Sequence, residues 1–160
     1  MHSIMISKLL GKKVFFDFDG VLATIQATPS KVFVDNNEYA KMHIRGDNVY
    51  CATRAPKVLK RVIDSMNPED VYLLSMVATS FEANNKRKFV MDNYPKFKQE
   101  NMIFVGENEY KSIVIEEMYK SEAFGKIRRK DIVLVEDTSE IIISVEALGF
   151  TCYHVSTFFD

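Results

Sequence analysis

Cysteine is scarce in this chain of 160 residues: only Cys51 and Cys152 are present, far apart and without metal-ligand spacing. That argues against a disulfide framework and a thiolate metal site, and it suits a reducing compartment in which both are plain buried or half-buried thiols. An excess of one charge sign is missing as well. With 21 basic and 22 acidic residues the formal net charge is -1, so no coat for nucleic acid or for an anionic membrane surface is written into the composition, and small solutes fit better as partners. Long apolar runs are also absent. The stretch from Met1 to Leu10 is interrupted by His2, Ser3, Ser7 and Lys8, too short and too polar for a signal sequence or a membrane span, so a cytoplasmic protein without membrane partners is expected. No internal repeat, low-complexity tract or Pro/Gly/Ser-rich linker divides the chain. Its 47% hydrophobic content supplies one core, and a single domain over 1–160 is expected.

Five short apolar runs recur: Val14-Phe16, Val71-Leu74, Met102-Val105, Ile132-Val135 and Cys152-Val155. Amphipathic segments lie between most of them, which is the pattern of a parallel sheet covered by helices. Pro56 suits the first turn of a helix whose apolar face is Val58, Leu59, Val62, Ile63 and Met66, ended by Asn67-Pro68. A second helix is expected over Lys86 to Asn93, stopped at Tyr94-Pro95. A third spans Tyr110 to Lys120, with Ile113, Val114 and Met118 on its apolar side, followed by a solvated basic stretch from Lys126 to Lys130. A fourth starts at Thr138 or Ser139, runs through Glu140, Ile142, Val145 and Leu148, and ends at Gly149 in a left-handed conformation. The Met102 strand is expected near a sheet edge.

The most informative stretch is Phe16-Asp17-Phe18-Asp19-Gly20-Val21-Leu22, two carboxylates one residue apart at the end of an apolar strand that a glycine breaks. Strand exits are where an α/β sheet presents side chains to ligands. Two carboxylates there can share a divalent cation, and the first can attack an electrophile while the second moves a proton, as phosphoryl transfer requires.

This string resembles the first motif of the haloacid dehalogenase-like superfamily of aspartate-nucleophile phosphatases, Asp-x-Asp-Gly-(Val/Thr)-Leu, which Asp17, Asp19, Gly20, Val21 and Leu22 fill. The resemblance runs from Val14 to about Val155. It implies a Rossmann-like three-layer αβα sandwich around a parallel sheet of about five strands, with the Asp17 strand in the middle between the Leu74 and Val135 strands. Ser75, at the second strand's exit, matches the phosphate-binding hydroxyl of the second motif, with the backbone at Met76 and at Gly20 beside it. The third motif is a lysine, for which Lys111 is preferred and Lys86 is the competitor, either one contacting nucleophile and phosphate. The fourth is Glu136-Asp137, where many relatives have two aspartates; Asp137 matches the direct metal ligand, while Glu136 reaches the metal through water or stands behind it.

Mg2+ is the implied cofactor, held by Asp17, the carbonyl of Asp19, Asp137 and Glu136. The implied activity is a Mg-dependent phosphomonoesterase, in which Asp17 forms an aspartyl phosphate and Asp19 serves as acid and then base. A general acid at position 19 fits phosphatases and mutases rather than the dehalogenase branch. Its substrate would be a small phosphorylated metabolite; the spacing of Ser75, Lys86 and Lys111 and the short insertion are similar to the 5'-nucleotidase-like members, which places nucleoside monophosphates among the candidates.

The alternatives are a catalytically weak phosphate-binding or scaffolding domain, and an enzyme acting on phosphoproteins or nucleic-acid ends, which the charge balance disfavours. Residues 23–54 leave room for a flap rather than a full cap: Val32-Phe33-Val34, the turn signal Asp35-Asn36-Asn37 and Tyr39 to Ile44 suggest a hairpin. The flap or a second subunit, in a homodimer, would close the site. Arg54, His43 and Tyr50 are the flap-side residues placed to meet substrate, and His154 reads as structural.

Overall fold

The computed structural model describes residues 2–25, 41–42, 44–47, 49–106 and 108–159, with only the backbone of 2–4, 25, 51 and 52. Its centre is a five-stranded, all-parallel sheet built from β1 (Lys13–Phe16), β4 (Val71–Met76), β5 (Met102–Val105), β6 (Ile132–Glu136) and β7 (Thr151–His154) in the order β5-β4-β1-β6-β7. A separate antiparallel ribbon pairs β2 (Thr24–Ile25) with β3 (Thr53–Arg54). The Asp17 strand is therefore central, flanked by the strands ending at Met76 and Glu136, as expected.

Continuous apolar runs suit these strands because both faces of the sheet are covered. Alternation along each strand sends residues to two cores. Val14, Phe16, Leu73, Val133 and Val135 meet α1 (His2–Leu9), α2 (Lys57–Asp64) and α3 (Ser80–Asn93) through Leu9, Leu59, Ile63, Val90 and Tyr94. Phe15, Leu74, Ile132 and Leu134 meet α4 (Lys111–Lys120) and α5 (Ser139–Glu146) through Ile115 and Val145. Register aligns the strand exits: Phe16 lies opposite Leu73 on one side and Val135 on the other.

Several boundaries differ from the sequence reading. The α3 helix begins at Ser80, six residues before Lys86, because Thr79 caps it by accepting from the Glu82 N–H at 3.1 Å. Pro56 is the residue before α2 rather than within its first turn. The amino-terminal stretch is a helix whose Leu9 is fully buried. In α4 the buried side chains are Lys111, Ser112 and Ile115, whereas Ile113 is half exposed. Arg129, inside the basic stretch, is not merely solvated: it pairs with Glu116, donates to the Leu148 carbonyl at 2.9 Å and lies over the Tyr119 and Phe150 rings.

Gly149 takes the left-handed conformation with φ +84°. Cys152 is buried, and burial pushes its thiol up to about 12. Of the segment read as a flap, the described parts are 23–25, 41–42, 44–47 and 49–54: the ribbon and a 3-10 turn at Val49–Ala52 are present, while 41, 42 and 44 are helical rather than part of the expected hairpin, the Arg45 N–H donating to the Lys41 carbonyl at 3.0 Å; residues 32–40 and His43 lie outside the described residues. Among the described residues no helix is long and apolar enough to cross a membrane.

The phase of α4 is open to direct test. Ile115→Ala, which empties a fully buried site, is expected to cost about 2–5 kcal/mol in urea denaturation. Ile113→Ala is expected to stay within about 0.5 kcal/mol. Equal costs would mean that the helix is rotated from the position described.

Candidate active site

Asp17 follows β1 directly, and its N–H donates to the Val135 carbonyl at 3.0 Å, carrying the β1–β6 pairing one residue beyond the strand. The chain then turns sharply. Both Val21 N–H and Ala23 N–H donate to the Phe18 carbonyl, at 3.3 and 2.9 Å, and Gly20 N–H donates to Ala23 at 3.0 Å. Phe18 pins the turn by entering the core edge-on to Tyr50 and Phe89. Gly20 is required twice over: its φ is +75°, and a Cβ there would stand 2.0 Å from Oδ2 of Asp137. The close approach brings the ends of β1 and β6 together.

Two clusters form at this edge. In the first, Lys111 Nζ donates to Asp17 Oδ1 at 2.5 Å and to Glu136 Oε2 at 2.7 Å, with all three residues buried. The other oxygen of Glu136 accepts from the N–H groups of Asp137 and Thr138, at 3.0 and 3.3 Å. Two buried carboxylates thus face one ammonium. Burial raises the Asp17 carboxyl above its ordinary value against the opposing pull of Lys111. Burial, then the Asp17 charge, pushes Glu136 up to about 8. Lys111 is raised by its two carboxylate neighbours, which outweigh the effect of its burial. One more positive charge would be accommodated here.

The donor chemistry fits a hard cation. Asp17, Glu136 and the exposed Asp137 each offer an oxygen, all within 4.8 Å of one another. Carboxylate oxygens without nitrogen or sulfur suit magnesium or calcium rather than zinc or copper. Glu136 already accepts from Lys111 and two backbone N–H groups, so Asp17 and Asp137 are the better-placed ligands of the three.

In the second cluster Lys86 Nζ, fully buried, donates to Asp19 Oδ2 at 2.8 Å, Ser75 Oγ at 3.0 Å and the Met76 carbonyl at 2.7 Å. Glu82 Oε1 stands 2.9 Å from the same nitrogen. The choice between Lys111 and Lys86 therefore resolves into two positions: Lys111 sits on Asp17 and Lys86 on Asp19. At Met76 the backbone contributes its carbonyl, to Lys86, while the following N–H, of Val77, is spent on Val105 at 2.9 Å.

The remaining expected residues lie elsewhere. Arg54 is on β3, exposed, with no contact to either cluster among the described residues. Tyr50 is buried in the core against Phe18, with its hydroxyl 3.4 Å from Glu82, so it is a packing residue first. His154 bonds Ser156 Oγ at 2.7 Å and the Asp137 carbonyl at 3.2 Å, bracing the end of β6 as a structural histidine would. Glu82 was not read from the sequence, although Thr79-Ser80-Phe81-Glu82 has capping-box spacing and Glu82 to Lys86 is an i,i+4 pair.

No family model matches the sequence, and no curated protein matches it significantly. Among solved structures, the HAD family enzyme BT-2542 from Bacteroides thetaiotaomicron, as an aspartate-to-alanine variant in complex with magnesium and inorganic phosphate, aligns at TM-score 0.49 and 13% identity over 93% of this chain and 98% of that one. Its magnesium complex aligns at TM-score 0.49 and 16% identity over 89% of this chain and 91% of that one.

The crowded carboxylates set a pH dependence. Because Glu136 titrates at about 8 in the fold against an ordinary 4.5, the folded protein keeps a proton that the unfolded chain releases between those values. Raised Asp17 acts in the same direction. Their contribution is full below about 4.5 and is lost as pH rises through about 8. The metal-free protein is therefore expected to show a falling thermal midpoint over that window, with a shallower fall in Glu136→Gln. A midpoint that rises with pH there would contradict the charge crowding.

Proposed function

We propose that this chain is a haloacid dehalogenase-like phosphomonoesterase that uses magnesium and acts on a small phosphorylated metabolite. The observation that supports this reading is the meeting, at one sheet edge, of Asp17 with Lys111 at 2.5 Å and Asp137 within carboxylate-sharing distance, beside Asp19 and Ser75 joined through Lys86. Each has a role in phosphoryl transfer. An Asp17 oxygen attacks phosphorus in line, forming an acyl phosphate as the bond from phosphorus to the ester oxygen breaks; Asp19 gives that oxygen its proton. Asp19 then takes a proton from the water that attacks phosphorus, releasing inorganic phosphate and the free Asp17 carboxylate.

Lys111 offsets the charge of Asp17 and of the incoming phosphoryl oxygens. The Ser75 hydroxyl accepts from Lys86, and its own proton, held only by a long 3.4 Å hydrogen bond to the Met76 carbonyl, would turn to a phosphoryl oxygen. Magnesium, held by the Asp17 and Asp137 carboxylates with the Asp19 carbonyl, would screen nucleophile from phosphoryl dianion. Glu136 fixes Lys111 from behind. Nucleoside monophosphates belong to the proposed substrate class on the spacing of Ser75, Lys86 and Lys111.

Hydrolysis of a generic aryl phosphate tests this reading. Activity is expected to vanish with chelator, return with magnesium, and fall by about a thousandfold or more in Asp17→Asn, while a panel of phosphorylated metabolites locates the preferred ester. Turnover that survives either chelation or Asp17→Asn would sink the proposal.

A further inference from the structure

Lys86 is surrounded by more acceptors than it has protons. An ammonium carries three N–H donors, and here they go to Asp19, Ser75 and the Met76 carbonyl. Glu82 Oε1, at 2.9 Å, is a fourth neighbour. These partners differ in exposure. Ser75 and Glu82 are buried, the Met76 carbonyl belongs to β4, and Asp19 alone is half exposed, with 48% of its side chain open to solvent. Glu82 is also tethered, because its other oxygen accepts from the Ala78 N–H at 2.9 Å and its own N–H donates to Thr79.

We infer that Glu82 is a positioning residue that holds Lys86 on Ser75 and accepts the ammonium hydrogen bond that Asp19 releases when Asp19 turns to the reacting oxygen. The inference rests on the phosphatase reading above, in which Asp19 serves as acid and base. Without a second carboxylate, Asp19 could not leave Lys86 except by stranding a buried ammonium proton, a step that costs free energy. With Glu82 in place the count closes: after Asp19 departs, Ser75, Met76 and Glu82 supply three acceptors for three protons. Lys86 then has no proton for the phosphate. Its action is indirect: by donating to Ser75 Oγ and, at 2.7 Å, to the Met76 carbonyl, it competes with the long 3.4 Å hydrogen bond from the Ser75 hydroxyl to that carbonyl and leaves the hydroxyl proton available to a phosphoryl oxygen. Glu82 also cancels one positive charge close to the phosphate position.

A merely structural Glu82, acting as part of the helix cap, makes different predictions from a positioning one. Glu82→Gln keeps an amide oxygen for the Ala78 N–H but removes the charge, leaving Asp19 as the carboxylate on Lys86. The expected result is a kcat lower by about tenfold to a hundredfold on an aryl phosphate. The inhibition constant for inorganic phosphate is expected to fall severalfold, because the site gains one positive charge. Thr79→Ala, which weakens the same helix start without changing charge, is expected to leave both parameters within about twofold of wild type.

Thermal melts establish that both variants are folded. A folded Glu82→Gln protein with unchanged kcat, weaker phosphate inhibition in that variant, or an equal loss of kcat in Thr79→Ala would overturn the inference while the phosphatase reading stands. A wild-type protein that hydrolyses no phosphate ester removes both together.

Discussion

One buried ammonium between two carboxylates is the constraint around which this molecule is arranged. Lys111 reaches Asp17 and Glu136 from the first turn of α4, and no other buried cation joins that cluster among the described residues. Taking ionised groups out of water is costly unless opposite charges and hydrogen bonds surround them, so an unbalanced cluster persists only where the rest of the fold pins it. The pinning is visible. Glu136 ends a strand buried along its whole length and accepts from the backbone at the entry to α5, while Asp17 is tied by its N–H to the neighbouring strand. The surplus negative charge is one that a proton or a hard cation could offset.

The sheet order makes that charge possible. A central β1 receives β4 on one side and β6 on the other, so three strand exits converge on one edge, each carrying a polar group that its apolar run would not otherwise tolerate. Gly20 closes the gap between two of them because it has no Cβ to collide with Asp137. The two lysines arrive from opposite faces, Lys86 on the helix between β4 and β5 and Lys111 on the helix between β5 and β6. Each aspartate of the first motif has its own cation, which separates the group proposed to attack from the group proposed to carry the proton.

Much of this was legible in the chain itself. The five strands were readable because double-sided burial writes them as uninterrupted apolar runs, and Asp17, Asp19, Ser75 and Glu136-Asp137 stand where those runs stop. The face of α4 was harder. Ile113 looks like a core residue by type, but the helix is phased by Lys111, whose ammonium must reach Asp17, and that rotates Ile113 outward and Ile115 inward. Hydrophobicity alone cannot see a helix oriented by a buried charge. The start of α3 was obscured because Glu82 reads by type as a surface residue, although it faces the site as the partner of Lys86. Arg54 and Tyr50 follow from membership of the segment expected to cover the site, which says little about where a side chain ends: Tyr50 is buried in the core and Arg54 lies on an exposed ribbon.

With its carboxyls ionised, the Asp17–Glu136–Lys111 cluster is one positive charge short by itself and two short with Asp137 beside it, the deficit that a divalent cation would fill. Calorimetric titration of magnesium into the metal-free protein tests it most directly, with Asp137→Asn run alongside. One site per chain, weakened at least tenfold in the variant, is the predicted result. Absence of saturable binding, or equal affinity in wild type and Asp137→Asn, would contradict the account.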